Sequence, residues 1–313
     1  MARLFPDQVL KDLFDNSSHI FAVGRTAVAR RLTTVEGDFA VRELNAVRSR
    51  NLRQYVKSML MALNGIELAR RAGLVELGVT PIHRLTYLSR ANGIGELELS
   101  EHELTDLRNM LRLFDPELEK KLNAFFDLLI NSNRALLIAD FVDGEDLDKY
   151  LSDLVIRQFN FNLVDLFQEY IDVYHQIEAI LLALNEGKLM HLDMHPGNLI
   201  FDFGQQYLKL LDLDSLCSGA QTILPPFTRE YVLDTANWDF TVEQQNVFLL
   251  IKYYNDLMLQ FAQNFGEGVN GRQLMYCYKD NWNKPFEQVR LELGNLIDQV
   301  RKSLPREVIL VSI

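Results

Sequence analysis

Hydrophobic positions along the chain recur at two spacings, and the switches between them outline the elements. Residues 19–43 alternate and carry many β-branched side chains. The runs HIFAVG, TAVARRLTT and GDFAVREL read as three strands punctuated by Gly24 and Gly37. Over 51–78 the period becomes helical. Leu60, Leu63, Ile66, Leu68 and Ala69 share broadly one side, the helix ends near Gly73 or Gly78, and Pro81 stops any continuation. Residues 82–90 and 135–142 are strand-like again, on either side of a charged helical stretch over 100–131. The turn Asp143-Gly144-Glu145-Asp146 leads into a helix around 146–154. Leu163, Leu166, Tyr170, Val173, Ile177, Ile180 and Leu184 recur every three or four residues and predict one long amphipathic helix over 161–187. Two short apolar pieces, 189–201 and 207–213, surround polar loops. From 242 onward the chain reads as helical, opened by Thr241 and Gln244 in capping-box spacing.

This order predicts an α+β fold: a strand-rich part over 1–139 with one inserted helix, an extended hinge near 139–145, and a mostly helical part over 140–313. The composition supports a globular chain. Of 313 residues, 48% are hydrophobic and 24% charged, enough for one large domain or two lobes with a shared core. No apolar run reaches the ~18 residues of a membrane-spanning helix, and the N-terminus has no long apolar stretch of a signal peptide. The cysteines, Cys217 and Cys277, suggest neither a metal pair nor a disulfide framework, so a reducing cytoplasm is expected. Net charge is −11 but uneven: residues 1–90 hold 14 Lys/Arg against 8 Asp/Glu, and residues 91–313 hold 18 against 35. That balance argues against nucleic acid as the main partner. Arg48, Arg50, Arg53 and Lys57 form a basic cluster. It suits an anionic substrate or peripheral contact with the inner face of a membrane, and equally a solvated helix face.

The stretch richest in chemistry is His191-Leu192-Asp193-Met194-His195-Pro196-Gly197-Asn198, with Asp212 fourteen residues further on in Leu210-Leu211-Asp212-Leu213-Asp214. Phosphoryl transfer from a nucleotide needs a carboxylate near the attacking hydroxyl and hard oxygen ligands that hold Mg²⁺ against the phosphates. An Asp followed by an Asn five residues later supplies both. Asp193 would orient or deprotonate the hydroxyl, and Asn198 would turn its amide carbonyl to the metal. Asp212 would bridge metal and phosphates. Two other readings stay open: an ordinary polar turn, and a metal-hydrolase site built from His191, Asp193 and His195.

The HxDxHPGN pattern with a following acidic strand end resembles the catalytic and metal-binding loops of the protein-kinase-like superfamily. Its form is closest to the atypical and small-molecule branch. That branch includes aminoglycoside phosphotransferases, ubiquinone-biosynthesis atypical kinases and lipopolysaccharide core sugar kinases. Leu192 stands where protein kinases have Arg. Asp212-Leu213-Asp214 stands where they have Asp-Phe-Gly, and is similar to the Asp-x-Asp of several lipopolysaccharide kinases. The resemblance implies a bilobal kinase-like fold that uses ATP and Mg²⁺ and phosphorylates a small-molecule or glycolipid hydroxyl, with lipopolysaccharide core sugars as the leading acceptor.

The resemblance also implies roles. Asp193 is catalytic, and Asn198, Asp212 and Asp214 are metal ligands. Gly24 belongs to the phosphate-covering loop. Ala139 and Phe141, within Leu136–Asp146, present backbone to the adenine edge. Arg42 stands at the phosphate-binding position of the third strand, and Glu67 on the inserted helix pairs with it. Arg42 replaces the family's Lys, a change from a point charge to a fork. It motivates an alternative: a pseudokinase or nucleotide-binding regulator.

Overall fold

Side-chain alternation over the first part of the chain builds one antiparallel sheet. The computed structural model describes residues 20–23, 27–34, 37–44, 61–62, 65–89, 93–96, 133–157, 163–218, 241–265, 274–277 and 281–304. Strands β1 (Ile20–Val23), β2 (Ala27–Thr34), β3 (Gly37–Leu44), β4 (His83–Ser89), β5 (Gly93–Glu96) and β6 (Asn133–Asp140) form a six-stranded sheet in the order β1-β2-β3-β6-β4-β5. Each neighbouring pair is antiparallel. Strand β6 therefore inserts between β3 and β4, and Arg42 on β3 lies opposite Ala29 on one side and Leu137 on the other. Helix α1, residues 65–71, precedes a tight turn with Gly73 and Gly78 both at positive φ (68° and 71°), the left-handed backbone glycine adopts freely. The charged stretch 100–131, Gly24 and the cluster Arg48 to Lys57 lie outside the described residues.

After β6 the described residues form two small sheets and four α-helices. Sheet β10-β9-β7 joins Tyr207–Leu210, Leu199–Asp202 and Gly144–Asp146, and β11 (Leu216–Ser218) pairs with β8 (Leu189–His191). The expected turn at 143–146 thus ends as a strand. Gly144 permits it, because a Cβ there would stand 1.9 Å from the carbonyl oxygen of Phe201 on β9.

Helices α2 (Leu147–Arg157), α3 (Leu163–Glu186), α4 (Val242–Phe265) and α5 (Phe286–Ser303) carry the core. The three-and-four repeat in α3 buries Leu163, Leu166, Tyr170, Val173, Ile177, Ile180 and Leu184, the residues that pattern picks out. Its aromatic face packs on α4 through edge-to-face pairs, Phe167 with Phe261 at 5.1 Å and Tyr174 with Tyr254 at 5.6 Å. The cap of α4 forms as the sequence spacing predicts: the Thr241 amide donates to Gln244 Oε1 (3.0 Å) and the Gln244 amide to Thr241 Oγ1 (3.2 Å). Ala69, Leu74 and Val79 belong to the same buried cluster, so the α1 region is packed onto the helices. Among the described residues no helix is long and apolar enough to cross a membrane.

Candidate functional site

Two short strand pairs bring the polar residues of 191–198 and 211–214 together. Antiparallel pairing of β9 with β10 sets Leu199 opposite Leu210. One step further, the Leu211 amide donates to the Asn198 carbonyl (2.9 Å). Pairing of β11 with β8 sets Leu216 opposite His191, and the Leu192 amide donates to the Ser215 carbonyl (3.0 Å). Leu192, in the turn after β8, is itself buried.

The 193–198 loop is tied across itself. Pro196 starts a one-turn 3-10 helix, for which its fixed φ is suited, and His195 caps it by accepting from the Gly197 amide at Nδ1 (3.1 Å). Asn198 Nδ2 donates to the Asp193 main-chain carbonyl (2.8 Å). That bond uses the amide's donor end and leaves its carbonyl oxygen free to accept. The Asp193 carboxylate is open, with 51% of the side chain exposed, and His195 Nε2 stands 3.9 Å from Asp193 Oδ2.

Asp212 leaves β10 in the left-handed conformation, φ 56° and ψ 56°, and starts the turn Leu213–Ser215. A non-glycine residue in this region is uncommon and carries strain; Asp tolerates it better than most. The fully buried His191 ring lies beneath. Its Nε2 meets the carbonyls of Leu211 (3.2 Å) and Asp212 (3.1 Å). Burial pushes the His191 pKa down, against the pull of Asp212, so the ring is neutral and Nε2–H is the donor. On the other side lies α1, where a Cβ on Gly65 would fall 1.8 Å from the Leu213 carbonyl oxygen. Only glycine permits this approach.

Arg42 reaches the acidic turn from the six-stranded sheet. Its Nη1 donates to Asp212 Oδ1 (2.8 Å) and its Nη2 to Asp214 Oδ2 (2.5 Å). Burial weighs against the guanidinium charge, but the two carboxylates outweigh it and raise the pKa. Burial pushes the Asp214 carboxyl above the usual carboxylate range, with the Asp212 charge adding to the rise and Arg42 opposing it. His83 on β4 is also held neutral, pushed down to about 4 by burial while its Nδ1 lies 2.7 Å from the Pro81 carbonyl.

The remaining expected residues are placed differently. Glu67 does not pair with Arg42. Its carboxylate takes Arg70 (2.7 Å) and Arg71 (2.6 Å), one turn along its own helix, where spacings of three and four put side chains side by side. Ala139 lies inside the ladder, opposite Ala40 and His83, and the Phe141 amide already donates to the Asp38 carbonyl (3.0 Å). An adenine edge at these two positions would therefore meet backbone already engaged in the sheet. The hydrolase arrangement is not assembled: the His191 ring is buried against carbonyls, and His195 directs Nδ1 to its own turn.

Pattern reading missed two contributors. Gly65 is visible in the sequence only as a glycine in a helical pattern. Lys209 is buried, with Nζ bonded to the Gly78 carbonyl (2.7 Å) and to Gln205 Oε1 (2.6 Å). With the Leu210 amide on the Val79 carbonyl (2.8 Å), it ties the loop after α1 to the β9–β10 hairpin.

The donor set fits a hard divalent cation. Among the described residues the Asn198 amide oxygen has no hydrogen-bond donor, and Asp212 keeps Oδ2 beside the oxygen given to Arg42. Asp214 Oδ1 is buried with no hydrogen-bond partner among the described residues. Magnesium takes few protein ligands and completes its shell with phosphate and water, and the amide oxygen of Asn198 and the carboxylate of Asp212 are donors of the kind it takes. No group of three or more His, Cys, Asp or Glu side chains among the described residues forms a metal cage. The chain matches no protein-family model, and no curated protein matches it.

Proposed function

We propose that this chain is an ATP- and Mg²⁺-dependent phosphotransferase of bilobal kinase-like fold, acting on a hydroxyl of a small-molecule or glycolipid acceptor. The observation that carries the reading is the Arg42 fork. A cation from the six-stranded sheet meets the Asp212-x-Asp214 turn, next to the loop holding Asp193 and Asn198. A cation, paired acids, an amide oxygen and an open carboxylate are the parts a triphosphate site needs.

In this reading Asn198 and Asp212 hold Mg²⁺, which when bound neutralises charge on the phosphates. Arg42 contacts phosphate oxygens, as a guanidinium does well. Asp193, exposed and held near His195, accepts the proton of the acceptor hydroxyl or orients it. The neutral His191 ring fixes the backbone of Asp212 from below. The fold boundary falls after β6, near residue 140. The acceptor class rests on the resemblance alone, with lipopolysaccharide core sugars as the leading case. Peripheral contact with the inner face of the membrane through Arg48, Arg50, Arg53 and Lys57 belongs to the same proposal.

One observation favours the regulator alternative: Arg42 holds the carboxylate that the metal needs. Purified protein mixed with ATP and Mg²⁺ separates the two. Turnover that is lost in both Asp193→Ala and Asp212→Ala supports the kinase. Binding of Mg·ATP with the same slow background turnover in all three proteins supports the regulator and ends the enzyme reading.

A further inference from the structure

The Arg42 contacts differ in kind, and the difference assigns a role to Asp214. We infer that Asp214 is the positioning residue for Arg42, anchoring the guanidinium while Asp212 is released to a metal. The inference rests on the nucleotide reading above and names the residue that makes its cation usable.

Four observations support it. First, the helix carboxylate expected to hold Arg42 is engaged elsewhere, since Glu67 pairs with Arg70 and Arg71. Second, the two acids are unequally buried. The Asp214 side chain is 12% exposed and that of Asp212 is 30% exposed. The deeper acid suits a permanent partner, and the more open one is free to exchange. Third, the backbone between them is pinned from several sides. The Ser215 amide donates to the Asp212 carbonyl (3.2 Å), the Leu192 amide donates to the Ser215 carbonyl, and His191 Nε2 lies against the Asp212 carbonyl. The Gly65 backbone closes over Leu213. A carboxylate on so fixed a turn holds its partner at a fixed place. Fourth, Arg42 uses separate nitrogens, Nη1 for Asp212 and Nη2 for Asp214.

A planar fork can give up one arm and keep the other, whereas an ammonium presents a single compact charge. This accounts for an arginine at a position where the resemblance implies lysine. With Asp212 turned to the metal, Nη1 faces the phosphates while Nη2 stays on Asp214. Asp214 is then the anchor of the cation, in place of the metal-ligand role the sequence suggests for it.

The test is a double-mutant cycle on the full chain with Arg42→Gln, Asp214→Asn and the pair. Thermal unfolding without nucleotide is the first readout. The expected result is strong coupling: the pair loses clearly less stability than the two single losses together. Glu67→Gln combined with Arg42→Gln instead adds. Titration with Mg·ATP is the second readout. Asp214→Asn is expected to weaken affinity by about 10–100-fold, the usual cost of losing an orienting partner, with the pair no weaker than Arg42→Gln alone. Asp214→Glu, which keeps the charge, recovers part of the loss. If wild type binds Mg·ATP while the two substitutions act independently in both readouts, the anchor is overturned and the nucleotide reading stands. A flat titration of wild type itself overturns both.

Discussion

Burial and the nearby Asp212 carboxylate act in opposite directions on His83, and pH reads the balance. His83 is pushed down from 6.5 to about 4, so the folded chain binds its proton less well than the unfolded chain. Its neutral form therefore contributes stability that is full above pH 6.5 and is lost as pH falls toward about 4. His83→Gln is expected to flatten the fall in melting temperature across pH 6.5 to about 4, measured by thermal unfolding at stepped pH. An unchanged acid slope would show that His83 is not held neutral by the fold. At Asp193 the expectation concerns rate. The bond that orients Asn198 goes to the Asp193 main chain, so Asp193→Asn leaves it intact. Nucleotide affinity should stay close to wild type while turnover drops about 10²–10⁴-fold, the usual worth of a proton-transfer group. An equal loss of affinity would contradict the role.

Among the elements, the contact of α1 with the 213–215 turn is the most exacting. A methyl group at residue 65 has no room beside the Leu213 carbonyl, so Gly65→Ala must move helix or turn. Overpacking of this sort costs roughly 1–3 kcal/mol. It should lower the melting temperature and weaken Mg·ATP binding together; a normal affinity would show that the turn does not depend on α1. The cap of α4 is a milder case. Thr241→Ala removes the acceptor for the Gln244 amide and should cost about 1 kcal/mol of unfolding free energy, read by denaturant titration, with turnover intact. That cap was legible in the sequence because its chemistry is local, and so were the strand runs and the period of α3. Partners distant in sequence were not. Arg42 and Glu67 both read as site residues, but whether they meet depends on how α1 lies on the sheet. The pattern gives no angle for that, and Arg70 and Arg71 compete for Glu67 from one turn away. The turn at 143–146 became a strand because β9 came alongside, which is likewise a tertiary event.

At the scale of the whole molecule, the described residues form a six-stranded antiparallel sheet, two small antiparallel sheets and a helical core, with the polar site where 191–198 and 211–214 meet Arg42. The α+β class was readable because the two hydrophobic periods occupy separate stretches of the chain. Residues 198 and 211 come together because β9 and β10 pair as a hairpin, and that closeness in sequence made their meeting easy to expect. The acceptor was not readable, since acceptor recognition depends on surfaces that no short motif encodes. The central claim is that Asn198 and Asp212 bind a divalent cation together with a triphosphate beside Arg42. Calorimetric titration of ATP into the chain, with and without Mg²⁺, tests it most directly, with Asp212→Asn as the comparison. The expected result is binding that needs Mg²⁺ in wild type and is lost in Asp212→Asn. Binding of equal strength in all four titrations, or none in wild type with Mg²⁺, would contradict it.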